Sequence, residues 1–338
     1  MVQKKLSVKE IAEMAGTSVA TVSRVINQNG RFSKDTEKRV KEIIEKYDYQ
    51  PNQLARGLRV NHTQVIGILV PDITNEFFAS ITKEVQKHLL TQNYMTLICS
   101  TNENVMEAKE QLQMLLSQKV GGIIYIGGED ITESLHIPTV YIDRDPRDMK
   151  REEKPGSEEN YAMIECDNIQ GGYLAGQELA CKGAKKIAYV CYGGTLSTIK
   201  KRLQGFKEAL AEYEIEINPK YGIYVNEVSL EEGSRAAQYI MENLGGADGI
   251  FFMTDILAVG GLSYLVNHNI KVPDQVKVVG FDDISMSRMI YPKLTTIHQP
   301  VQEYGRLAAE RIVDMINGKD VEIQRQRIPV NLVVRETT

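Results

Sequence analysis

Metal-ligand and disulfide patterns are missing from this chain. Its four cysteines, Cys99, Cys166, Cys181 and Cys191, make no C-x-x-C pair and stand among apolar neighbours, so buried reduced thiols are expected, not disulfides or a zinc site. The five histidines are scattered without ligand spacing. No apolar run approaches the roughly 18 residues of a membrane span, and the opening MVQKKLSVKE has no apolar signal region. Export and membrane insertion are therefore not expected, and the expected compartment is the cytoplasm. Catalytic signatures are missing as well. GGIIYIGG lacks the G-K-[ST] of a phosphate-binding loop, no G-x-G-x-x-G opens a helix after a strand, and no G-x-S-x-G elbow occurs. Nothing marks a nucleophile, a metal or a cofactor, so an enzyme is not expected.

What the chain has is length, apolar residues and uneven charge. Its 338 residues suggest two or three domains at about 150 residues each, and 42% hydrophobic residues suffice for sizeable cores. The net charge of −5 hides an asymmetry: residues 1–62 carry 12 Lys and Arg against seven acids, or +5, and the remainder carries 28 against 38, or −10. Only the N-terminal segment is suited to sit on phosphate.

That segment contains LSVKEIAEMAGTSVATVSRVIN, Leu6 to Asn27. Ser7 and Glu10 have capping-box spacing, with Leu6 and Ile11 placed to staple the helix start. Val8, Ile11, Ala12 and Ala15 share a helical face, and Gly16 provides the permissive turn. Ser18 can cap a second helix in which Val22 and Val25 point inward, leaving Val19, Ala20, Ser23 and Arg24 outside. Small early residues let such a helix approach base edges in a groove. Taken singly, a capping box starts helices in many folds and an exposed Arg is commonly just solvated; the combination is what carries meaning. A third helix is expected over Ser33 to Asp48, with Val40, Ile43, Ile44 and Tyr47 inward.

The run A-x-x-A-G-x-S-x-x-T-V-S-R-V-I-N followed by Y-x-P-N-x-x-A-R-x-L resembles the lactose and galactose repressor family of bacterial transcription regulators, and the resemblance covers the whole chain. It implies a helix-turn-helix headpiece with a hinge helix over residues 1–59, a linker over 60–64, and a core over 65–338. Ser18, Val19, Ala20, Thr21, Ser23, Arg24 and Asn27 match the DNA-reading helix. Asn52, Ala55 and Leu58 match a hinge helix that orders on DNA, with Leu58 as a minor-groove wedge and Ala55 as the small residue between paired hinges. Pro51 suits a first helical turn, and Gly57 keeps so short a helix weak alone.

From Val65 the pattern becomes short β-rich runs alternating with amphipathic stretches. VIGILV, YMTLICS, GGIIYIGG and TVYID read as strands, with helices near 77–91 and 103–118. A second series runs YAMIECD, KKIAYVCY, YGIYVNEV, ADGIFFM and VKVVGFD, each followed or joined by helical stretches. Between the two lies a charged loop, Arg144 to Asn160. The resemblance implies an α/β core like a type I periplasmic binding protein, with two doubly wound parallel-sheet subdomains. Their expected bounds are 65–162 plus 296–325, and 163–295 plus 326–338. The chain has no heptad helix after Leu332-Val333, which implies a homodimer, not a tetramer.

Ligands of open parallel sheets bind beyond the carboxyl ends of the strands, so two facing sheets make one cleft. The residues placed there are Asp72, Asn75, Phe77, Phe78, Asp143, Arg144, Thr198, Arg202, Thr254 and Asp282. Carboxylates and an Arg converging with an aromatic ring suit a polyhydroxylated or otherwise polar ligand. By family position, Phe78, Arg144, Thr198, Arg202, Thr254 and Asp282 are the expected effector contacts, although Thr254 stands where the family commonly has Asn, and Val228 where it often has an aromatic. The expectation is a repressor that binds double-stranded operator DNA and is switched by a sugar or sugar derivative. Two other readings stay open. One is a regulator answering to a phosphocarrier protein through the segment of Arg288 and Met289; the other is a free sugar-binding protein, which the basic headpiece argues against.

Overall fold

The computed structural model describes residues 6–47, 49, 63–127, 135–144, 161–193, 197–319 and 325–338, in two units that divide after Thr63. The first unit contains α1 (Val8–Ala15), α2 (Val19–Asn27) and α3 (Lys34–Lys46). Each start has the chemistry its sequence foretells. Ser7 and Glu10 close a reciprocal capping box, Ser18 accepts from the Thr21 amide, and Ser33 accepts from the Thr36 amide. Gly16 ends α1 with φ 61°, a left-handed conformation that costs glycine little. Ile11, Ala12, Ala15, Val22, Val25 and Val40 form the small core, with Ile43, Ile44 and Tyr49 packed against it. Tyr47 was expected inside and is instead 44% exposed. The α-helix ends at Lys46, so Tyr47 falls off its periodicity and Tyr49 takes the inner place.

The second unit is built on two six-stranded sheets. The first has the order β11-β5-β4-β3-β1-β2, from β1 (Val65–Val70), β2 (Met95–Ser100), β3 (Gly122–Ile126), β4 (Thr139–Ile142), β5 (Tyr161–Cys166) and β11 (Arg325–Ile328), all parallel. The second has the order β12-β10-β9-β8-β6-β7, from β6 (Ile187–Tyr192), β7 (Gly222–Val225), β8 (Gly249–Phe252), β9 (Lys277–Asp282), β10 (Thr295–His298) and β12 (Asn331–Val333), with only β10 and β12 antiparallel. β3, β4 and β8 are buried along their whole length because helices cover both faces of a parallel sheet, hence their unbroken apolar sequences.

Helices α4 (Glu76–Thr91), α5 (Val105–Ser117) and α11 (Val301–Ile316) pack on the first sheet. Helices α6 (Asn168–Cys181), α7 (Ser197–Glu212), α8 (Leu230–Asn243) and α9 (Asp255–Asn267) belong to the second, and a short α10 (Met286–Met289) follows β9. The helices of the second subdomain meet in close pairs. A Cβ on Gly172 of α6 would lie 1.9 Å from the Arg202 carbonyl, and one on Gly205 of α7 would lie 1.8 Å from the Ile169 carbonyl. Gly233 and Gly260 make the same backbone-to-backbone contact between α8 and α9.

Three connections pass between the sheets: β5 to α6, β10 to α11, and β11 to β12. They correct the subdomain bounds expected from sequence. YAMIECD was assigned to the second series, but β5 pairs with β4 and β11 in the first sheet. Conversely β10 was placed with the first subdomain and pairs with β9, while Arg325–Ile328 was split across the boundary and lies in the first sheet. Nothing local in YAMIEC, TTIH or RQRI names a sheet; only their pairing partners decide it. Of the cysteines, Cys166 and Cys191 are buried as expected, whereas Cys99 is half-buried on an edge strand and Cys181 is exposed at the last turn of α6. Among the described residues no helix is long and apolar enough to cross a membrane, and no cluster of His, Cys, Asp or Glu could hold a metal ion.

Candidate nucleic-acid interface and ligand cleft

In the headpiece the inner stripe of α2 is Val22 and Val25, which turns its N-terminal outer face to solvent. Ala20 is exposed there, with Val19, Thr21 and Ser23 partly so, and Arg24 is exposed in the last turn. The Ser18 and Thr21 hydroxyls bond each other at 2.9 Å, fixing the helix start. Such a face presents small side chains and one guanidinium at the end of a helix, the shape that enters a major groove. Asn27 ends α2, and Asn52, Ala55 and Leu58 lie outside the described residues.

In the core, the carboxyl ends of β1, β4, β6, β8 and β9 border one cleft of about 470 Å³, counting solvent at its mouth. The first subdomain contributes Asn75, Phe77, Phe78, Glu103, Asp143 and Arg144. The second contributes Tyr192, Thr198, Ile199, Arg202, Val228, Thr254 and Asp282. Asn75 and Thr254 have a local duty too, accepting from the amides of Phe77 and Leu257 at the starts of α4 and α9. Across the junction of the two subdomains, Glu76 of α4 accepts from the Ser285 amide at 2.7 Å and the Ser285 hydroxyl at 2.8 Å.

Each side of the cleft carries an aspartate beside an arginine. Arg144 donates to the Gly127 carbonyl at 2.7 Å, lies 5.9 Å from the Phe78 ring centre and has Glu103 at 3.9 Å. The Asp143 Oδ1 and Arg144 Nε atoms are buried and have no hydrogen-bond partner among the described residues, Arg144 Nε lying 3.8 Å from Asp143 Oδ2. Opposite, Arg202 donates to Asn168 Oδ1 at 2.8 Å and to the Met253 carbonyl at 2.6 Å, and stacks 3.6 Å from the Phe281 ring centre. Asp282 stands 4.0 Å from Arg202 and accepts from Gln299 at 2.7 Å. Burial raises the Asp282 carboxyl to about 7 against the pull of Arg202 and Gln299, with Asp143 pushing it up further. The backbone here is unusual as well. Glu103, Asp143, Asp282 and Asp283 have φ of 53°, 71°, 118° and 55°, values that L residues seldom adopt and that concentrate at functional sites.

Comparison with known proteins joins these two sites. Residues 7–52 match the family model for bacterial regulatory proteins of the lacI family, and residues 177–338 match that of the periplasmic binding protein-like domain. A ribose operon repressor from Halalkalibacterium halodurans is 32% identical over 337 residues, covering 98% of this chain and 97% of the relative. This chain belongs to the lacI family. Like those relatives, it is a DNA-binding transcription regulator switched by a small molecule, not an enzyme. Among solved structures, a lacI-family regulator from Enterococcus faecium with bound ribose matches with a TM-score of 0.69 and 29% identity, over 81% of this chain and 98% of that one. The lac repressor dimer bound to operator and the anti-inducer ONPF matches in fold with a TM-score of 0.85 at 22% identity, over 99% of both chains.

In this lacI-family core, nine of the ten residues expected at the cleft line it; Asp72 does not. Its carboxylate instead accepts from the Thr74 amide and hydroxyl, holding the turn before α4. Arg202 is the sixth residue of α7, beyond its first turn, so its position rests on its partners rather than on the helix dipole. Glu103, Tyr192 and Ile199 were missed. Tyr192 ends a recognisable strand and was within reach of the strand-end rule, whereas Glu103 arrives from the loop after an edge strand. Arg288 and Met289 sit on α10 outside the cleft lining, with Met289 81% exposed.

Proposed function

We propose that this protein is a cytoplasmic, homodimeric repressor whose operator affinity is set by a neutral polyhydroxylated ligand, a free sugar, held between Asp143–Arg144 and Arg202–Asp282. The single observation that supports this most is the pair of buried atoms Asp143 Oδ1 and Arg144 Nε, which have no hydrogen-bond partner among the described residues; Arg144 Nε has only the longer ion-pair contact to Asp143 Oδ2 at 3.8 Å. One wants a donor and the other an acceptor, and a hydroxyl supplies both. Leaving such atoms dry and unpaired costs about 1–3 kcal/mol each, which a ligand hydroxyl removes. Phe77 and Phe78 provide apolar rings for the C–H face of a sugar. An anionic group is disfavoured, because three carboxylates line the cleft against two guanidinium groups whose donors are partly engaged with Gly127, Asn168 and Met253. On the DNA side, the residues proposed to read or grip the operator are Ser18, Val19, Ala20, Thr21, Ser23, Arg24, Asn27, Asn52, Ala55 and Leu58.

Thermal unfolding of the full-length protein against a panel of free and phosphorylated sugars tests the effector. D-Ribose is the first candidate, given the relatives, and D-ribose 5-phosphate is its control. A ligand at about 100 times its Kd stabilises by about 2.7 kcal/mol, a clear rise in Tm. Stabilisation by free sugars alone is the expected result. Stabilisation by the phosphate esters alone would overturn the neutral-ligand reading.

A further inference from the structure

We propose that Asn168 and Gln299, neither of which lines the cleft, are positioning residues that fasten the Arg202–Asp282 pair to two of the three inter-sheet connections, so that filling the cleft turns one subdomain against the other. The proposal rests on the cleft reading above. Asn168 is the first residue after the β5-to-α6 connection and is 1% exposed. Its Oδ1 accepts from Arg202 Nε at 2.8 Å, and its Nδ2 donates to the Cys166 carbonyl at 3.3 Å, at the end of the first sheet. Gln299 sits in the β10-to-α11 connection and is fully buried. Its Nε2 donates to Asp282 Oδ1 at 2.7 Å, and its Oε1 accepts from the Tyr304 hydroxyl at 3.3 Å. Tyr304, on α11, is fully buried, and its hydroxyl lies against the Cys166 thiol.

These contacts close a ring that runs Arg202, Asn168, Cys166, Tyr304, Gln299, Asp282 and back to Arg202 at 4.0 Å. Two of its six members, Cys166 and Tyr304, stand on elements of the first sheet; Arg202, Asn168 and Asp282 stand on elements of the second, and Gln299 on a connection. Each amide uses both its ends, so each satisfies its partners in one arrangement only. A ligand that draws Arg202 or Asp282 toward it by even part of an ångström must either break a buried hydrogen bond or move the connection with it. Breaking is the costlier course in a dry interior. Connections between rigid bodies are also where hinge rotation is absorbed. The left-handed φ of Asp282, 118°, puts strain at the point where ring and cleft meet.

Gln299→Met keeps the side-chain length and removes both hydrogen bonds; Asn168→Ala opens the ring at its other end and serves if Gln299→Met is too unstable. With D-ribose as probe, calorimetric affinity is expected to stay within about fivefold of the parent, because the contacting side chains remain. The ratio of operator affinities with and without D-ribose should collapse to within about twofold of unity. A preserved ratio with a lowered Tm would overturn the proposal and leave the amides as packing. A ligand-free arm separates failure of the hinge from failure of the cleft reading. Amide exchange should quicken at least tenfold in peptides 164–170 and 296–302 while β1 and β8 keep their protection. Uniform acceleration across both sheets, or none, overturns the hinge role whether or not D-ribose binds.

Discussion

Asp282 and Asp283 are neighbours in sequence with opposite chemistry. Burial raises Asp282 to about 7. For Asp283 burial is outweighed by His298, Arg335 and Arg288, which bring its carboxyl down to about 2. A carboxyl whose folded value lies above its usual 3.8 stabilises the fold at low pH and loses that contribution as pH rises through about 7. The difference corresponds to on the order of 4 kcal/mol as an upper bound. Asp255, also raised by burial first and by Asp282 second, adds in the same direction. Tm is therefore expected to fall between pH 5 and 8, and Asp282→Asn to shrink that fall by up to about 8 °C. An unchanged fall on melting both proteins at both pH values would refute the assignment. At the DNA end, Arg24→Ala is expected to lose about 1–3 kcal/mol of operator affinity and relax preference at one base per half-site. Binding to a set of single-base operator variants shows it; an equal loss on all of them would make Arg24 a phosphate contact. Arg24 and Asp282 were legible because one stands at a motif position and the other at a strand end. Asn168 and Gln299 were not, since their partners lie 34 and 17 residues away and nothing local distinguishes them from ordinary amides at a helix start or in a loop.

At the scale of elements, α6 and α7 meet through Gly172 and Gly205 with no room for a side chain, and that contact sets how far Arg202 reaches into the cleft. Gly205→Ala must force the helices apart, at a cost of about 1–3 kcal/mol. Tm should drop by several degrees and effector affinity should weaken with it; a Tm within one degree of the parent would show that the pair adjusts freely. The Glu76–Ser285 clasp leads to a kinetic expectation. Glu76→Ala removes both bonds across the junction, and the effector should dissociate about threefold to tenfold faster with its equilibrium contacts intact, as stopped-flow release would measure. The Ser7–Glu10 capping box, the Gly16 turn and the apolar strand runs made most elements readable in advance, but not β10 and β11, whose sequences TTIH and RQRI are no apolar runs. Sheet membership was not, because β5 and β10 carry the same local pattern whichever sheet they join.

For the whole molecule, charge is the property most easily tested. With +5 on residues 1–62 and −10 on the rest, operator affinity should fall by orders of magnitude between about 50 and 200 mM salt if several phosphates are contacted. A flat dependence would sink the DNA-binding reading. The order of the strands has a different consequence, for synthesis. The first sheet begins at Val65 but ends with β11, Arg325–Ile328, whose partner β5 was made about 160 residues earlier. On the ribosome the earlier half of the core must wait, one edge of β5 unpaired, until almost the whole polypeptide has emerged. Such an edge is a template for wrong pairing, and contacts so distant along the chain form slowly. Nascent chains halted near residue 300 should therefore stay protease-sensitive in both sheets and recruit chaperones, whereas a few tens of residues more should bring protection to both at once.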